Sequence, residues 1–78
     1  MVEKTIDEQR LPREEVAARL QAIADELLTE GDVDVRVGNK EIRLHPSDEV
    51  GYEIGVRERS SVLRGSRESV TVRLDWKP

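Results

Sequence analysis

The chain has 78 residues, 36% apolar and 38% charged, with no Cys or Phe, one Trp, one Tyr and one His. A chain this short buries only about 60% of the surface its unfolded form exposes, so one modest core is the limit. That length excludes a TIM barrel or a two-domain dinucleotide enzyme, and the missing cysteines exclude a disulfide scaffold or a thiolate zinc site.

No apolar run approaches the roughly 20 residues of a membrane span. The first residues, Met1-Val2-Glu3-Lys4-Thr5-Ile6-Asp7-Glu8, lack the apolar stretch of a signal peptide. A cytoplasmic protein with no membrane partner is therefore expected. Lys and Arg total 13 against 17 Asp and Glu, giving −4. That surplus of acid argues against a general nucleic-acid binder with a basic body. Only Lys4, Lys40 and Lys77 are lysines, and the other basic residues are arginines. Acid excess, scarce Lys and few bulky aromatics fit a high-salt cytoplasm. A GC-rich genome is the other source of the Arg preference.

The chain shows no repeat, low-complexity stretch or linker, so residues 1–78 are expected to form one domain. Residues 1–9 are polar with weak alternation, and read as either an edge strand near Lys4–Asp7 or a flexible tail. Val16, Leu20, Ile23 and Leu27 then recur at helical spacing, widened by Ala17, Ala24 and Leu28. Pro12 suits the first helical position, Glu14 and Glu15 its positive end, and Gly31 a left-handed stop. One amphipathic helix over about residues 13–29 is predicted.

After Gly31 the period changes from 3.6 to 2. Val33, Val35 and Val37 alternate with Asp34 and Arg36, and Ile42 and Leu44 with Glu41 and Arg43. Gly38-Asn39 between them is a two-residue hairpin turn. Folding about it pairs Val37 with Lys40, Arg36 with Glu41, Val35 with Ile42, Asp34 with Arg43 and Val33 with Leu44. A slip of one residue would set charge against apolar everywhere, so the register is well specified.

His45-Pro46-Ser47-Asp48-Glu49 is a connection, because Pro46 cannot continue a central strand. Val50, Tyr52, Ile54 and Val56 alternate along a third strand, and Val70, Val72, Leu74 and Trp76 along a fourth. Setting Ile54 beside Val72 also sets Glu53 opposite Arg73. The predicted fold is α+β and two-layered, with one amphipathic helix packed on an antiparallel four- to five-stranded meander sheet. Its far face would carry Asp34, Arg36, Glu41, Arg43, Glu53, Arg57, Arg73 and Asp75, wet and charged. Gly51 and Gly55 lie on that outward face, marking a bulge or strong twist, or else a shallow docking groove.

Catalytic parts are few. No serine sits in a nucleophile-elbow context, and His45 enters a proline turn, where it reads as a surface residue. A metal site from His45, Asp48 and Glu49 would be weak, so no metal or other cofactor is expected. The segment Arg57–Arg67 holds Arg57, Arg59, Arg64 and Arg67 against Glu58, a net +3 that leaves −7 for the rest of the chain. These four arginines, with serines between them, are candidates for binding an anion or nucleic acid. Pairing with the chain's own acids is the plainer alternative. Val62 and Leu63 in the same loop are expected to fold back over the core, with an oligomer contact as the alternative. Trp76 reads as the core's lid with Tyr52 as its neighbour across the sheet, the two largest apolar side chains available.

Leu11-Pro12-Arg13-Glu14-Glu15-Val16-Ala17, the Val-rich hairpin and the terminal Leu74-Asp75-Trp76-Lys77 together resemble the amphi-Trp domain family of short archaeal and bacterial proteins. The resemblance spans about residues 3–77 and maps Trp76 onto the naming tryptophan. It implies a small stand-alone domain of a kind common in halophilic archaea, and it supplies no catalytic residues. The sequence therefore points to a small non-enzymatic interaction domain that binds a protein partner or associates with itself. Docking would use the charged sheet face or an exposed edge strand. Anion or nucleic-acid binding at Arg57–Arg67 is the alternative, and a small enzyme around His45 a remote one.

Overall fold

The computed structural model describes residues 2–78. Its elements run α1 (Arg13–Leu27), β1 (Val33–Val37), β2 (Lys40–Leu44), β3 (Gly51–Arg59) and β4 (Arg67–Asp75). The class is α+β, as the change of period predicts. The strands close as two two-stranded antiparallel sheets, β1–β2 and β3–β4, rather than the single four- to five-stranded meander expected. The break falls at the connection holding Pro46, which has no N–H to give a ladder. The chain forms two compact units, one within the first 46 residues and the other Ser47–Lys77.

In the first unit, α1 ends two residues short of the predicted limit, with Leu28 as its cap. Pro12 sits just before the first helical residue rather than in it. Its carbonyl accepts from the Glu15 and Val16 N–H groups at 3.0 and 3.1 Å. Gly31 adopts φ +91°, the left-handed stop expected of it. Residues 2–10 form no strand, so the edge strand near Lys4–Asp7 is not formed.

The β1–β2 register is the predicted one at every rung, from Val33↔Leu44 to Val37↔Lys40. Gly38 takes φ +62° while Asn39 does not enter the left-handed region. Left-handed φ at the first central position alone is the pattern of a type II′ turn. Asp7 lies beside this turn, its carboxylate 3.4 Å from where a Cβ on Gly38 would stand.

Helix α1 packs on β1. Val33 is the buried residue of this unit at 2% exposure, and Val35, Val37, Ile42, Leu44 and Ile23 are half-buried. The Asp34 N–H donates to Glu26 Oε1 at 2.7 Å, tying strand to helix. The helix stripe is not fully covered, and Val16, Leu20 and Leu27 stay exposed. Geometry gives the reason: two strands lie about 5 Å apart, whereas a helix with side chains is about 10–12 Å across.

In the second unit, β3 and β4 pair over nine unbroken rungs, from Gly51↔Asp75 to Arg59↔Arg67. Ile54↔Val72 and Glu53↔Arg73 are opposed as the alternation requires. The ladder contains no bulge, so Gly51 and Gly55 do not mark one. A Cβ on Gly51 would collide with the Asp75 carboxylate, whereas one on Gly55 would meet open space.

Candidate interaction surfaces

The two faces of the β3–β4 hairpin follow from its register. One face carries Tyr52/Leu74, Ile54/Val72 and Val56/Val70, and ends in Glu58/Glu68 at the tip. The other carries Glu53/Arg73, Gly55/Thr71, Arg57/Ser69 and Arg59/Arg67. The apolar face was expected inside. Instead Tyr52, Ile54, Val56, Val70 and Val72 are 49–69% exposed. Trp76 follows β4 by one residue and is half-buried. The residue directly opposite Tyr52 is Leu74. Trp76 keeps part of its surface in solvent, short of the full burial of a core lid.

The arginine segment forms the tip of the β3–β4 hairpin. Strand β3 extends to Arg59 and β4 begins at Arg67, leaving Ser60–Ser66 as the connection. Within it Ser61 and Gly65 exchange backbone hydrogen bonds at 3.2 and 3.0 Å, with Gly65 at φ +78°. The Arg64 N–H donates to Ser61 Oγ at 3.2 Å. Val62 and Leu63 at the summit are fully exposed and do not fold back. A tight turn holds them at its outer end, away from any apolar neighbour in the hairpin.

The structure brings three of the four candidate arginines together. Arg59 stands directly opposite Arg67, and Arg57 lies on the same face beside Ser69. With Ser69 and Glu68 they line a hollow of about 190 Å³. Arg64 sits apart in the turn. Among the described residues, none of the four lies within 4.0 Å of a carboxylate. Like charges directly opposed across a hairpin destabilise it. Sequence reasoning missed this opposition, although the Glu53–Arg73 pairing carried on to the tip yields it.

Elsewhere acids and bases do pair. Arg43 Nε donates to Asp34 Oδ1 at 3.1 Å, on the rung predicted for them, and this pairing raises the Arg43 pKa. Arg19 meets Glu15 at 3.5 Å and Arg73 meets Asp75 at 3.3 Å. His45 Nδ1 lies 2.7 Å from Asp32 Oδ1, both side chains about half exposed, so its partner is neither Asp48 nor Glu49. A second hollow, of about 770 Å³, opens between α1 and the β1–β2 hairpin, with Glu15, Glu26, Asp34 and Glu41 among its lining. Among the described residues, no group of three His, Cys, Asp or Glu side chains is placed to hold a metal ion. No described helix is long and apolar enough to cross a membrane.

These features define a class: a small α+β domain with one helix-covered hairpin and one hairpin whose apolar face is exposed. The chain belongs to the Amphi-Trp domain family, whose family model matches residues 1–78, the whole length. No curated protein and no solved structure matches it.

Proposed function

We propose that this protein is a non-enzymatic interaction domain that docks a protein partner on the β3–β4 hairpin. One observation carries the reading: five apolar side chains in a contiguous block across two strands are 49–69% exposed. Scattered exposed apolar residues are ordinary, but a contiguous patch marks an interaction surface. An isolated two-stranded hairpin is also marginal in water, and gains most from a further strand or layer. The test places the photo-crosslinker p-benzoylphenylalanine at Tyr52 in living cells. Covalent adducts are expected from that position and not from Glu41 on the charged face of β2. Irradiation that yields no adduct at Tyr52 removes the reading.

The arginine tip supports a second reading, binding of phosphate-bearing anions including nucleic acid. Its warrant is the Arg59–Arg67 opposition with Arg57 alongside and, among the described residues, no carboxylate within 4.0 Å of any of the three guanidiniums. A bound phosphate would relieve the repulsion through charge-assisted hydrogen bonds. Fluorescence anisotropy with labelled DNA and RNA across a salt series should show binding that fades as salt rises. Equal binding by an Arg59→Ala/Arg67→Ala variant ends this reading. An enzyme built around His45 has the least support, since among the described residues the ring's hydrogen-bond partner is Asp32 and no serine hydroxyl.

A further inference from the structure

The β4 strand has a bonded partner on one side only, in a sheet of two strands. Its outer edge is a row of backbone donors and acceptors nine residues long. Edges of this length are normally blunted by proline, a bulge or inward-pointing charge. Here there is no proline, the ladder has no bulge, and the apolar face of β4 carries charge only at Glu68, near the tip.

The sequence of β4 is complementary to itself. Turned end for end about Thr71, Arg67 meets Asp75 of a second copy, and Ser69 meets Arg73. Val70 meets Val72, and Thr71 meets Thr71. Opposite charges fall together on one face and apolar residues on the other. Glu68 then stands opposite Leu74 at the outer rungs, where water reaches it. A shift of one residue crosses the two faces. A shift of two sets Arg67 against Arg73 one way, or against Lys77 the other, both like-charge pairs. Asp75 already lies 3.3 Å from Arg73 of its own strand, so Arg67 of the second copy would complete a three-membered charge cluster. The outer edge of β3 is a weaker template, because Gly51 and Gly55 give no side chain to a neighbour and Gly55 would sit at the centre.

We infer that the occupant of the β4 edge is a second copy of this chain, paired antiparallel about a two-fold axis at Thr71. The product is a symmetric dimer with one continuous four-stranded sheet, and an edge of each hairpin is satisfied by strand addition. This rests on the reading of the β3–β4 hairpin as an interaction surface and names the occupant of its β4 edge.

The chain has no cysteine, so Thr71→Cys introduces a sole thiol at the axis. Directly opposed residues in an antiparallel pair come within disulfide reach. Diamide, taking up two electrons and two protons as the S–S bond forms, should convert the folded Thr71→Cys protein to a covalent dimer. Gly55→Cys should stay uncross-linked. Light scattering of the wild-type chain should give twice the 8.9 kDa monomer mass. Arg67→Asp should weaken the dimer roughly tenfold, and Arg67→Asp with Asp75→Arg should restore it. Circular dichroism of each variant checks that the fold is kept. A wild-type mass of 8.9 kDa at every concentration, or cross-linking through Gly55→Cys in place of Thr71→Cys, overturns the inference. A monomeric wild type that still gives adducts from position 52 to another polypeptide removes the second copy and leaves the interaction domain standing.

Discussion

The two hairpins carry the same kind of sequence in different surroundings. Both alternate Val, Ile and Leu with charge, and both pair opposite charges across a rung, Asp34 with Arg43 and Glu53 with Arg73. The first is five residues a strand and has a helix in its own unit, so Val33 is buried and its neighbours half-buried. The second is nine residues a strand, its unit contains no helix, and its apolar face is open. Alternation is thus enough to specify pairing and not enough to specify cover.

The sharpest way to break this comparison is a charge on each apolar face. Val33→Asp places an unpaired carboxylate at a site only 2% exposed, and should cost several kcal/mol, enough to abolish the cooperative melt. Val56→Asp, at 69% exposure, should change stability by less than about 1 kcal/mol in a urea titration. Equal losses at the two sites would mean that the second face is as covered as the first.

Trp76 tests cover at the end of β4. Half-buried, it should cost about 1–3 kcal/mol on replacement by Ala in a thermal melt. A loss of 4 kcal/mol or more, which full burial of so large a ring would give, would restore it as a lid.

The glycines contrast the two ladders more gently. Gly38→Ala forces a Cβ into φ +62° with Asp7 3.4 Å away, and should destabilise by about 1–2 kcal/mol. Gly55→Thr enters open space in an extended strand and should stabilise by up to about 1 kcal/mol. The smallest effect belongs to the tip, where Arg59→Glu turns a like-charge rung with Arg67 into an ion pair. A gain of a few tenths of a kcal/mol is expected, fading in salt. No gain at low salt would mean that the two guanidiniums already hold an anion or another partner between them.

What was legible at the candidate surfaces divides along the same line. Arg57, Arg59 and Arg67 were singled out by charge density, and their convergence on one face follows from the register. Arg64 was grouped with them by proximity in the chain, but the turn sets it apart. The pairing of His45 with Asp32 was not foreseen, because those residues flank the β1–β2 hairpin and meet only when it closes.

The sequence by itself determined the helix, its glycine stop, every rung of the β1–β2 ladder and the register of β3–β4. These depend on the spacing of neighbours and on turn residues, and both are written locally. Only the tertiary structure decided that the strands form two sheets rather than one. It also decided that Val33 is buried while Ile54 and Val72 are not, and that Val62 and Leu63 stand in solvent. Pairing joins segments a few residues apart at small cost in chain entropy. Cover needs a second layer of matching width, and a periodic pattern records that a face is apolar without recording what lies on it.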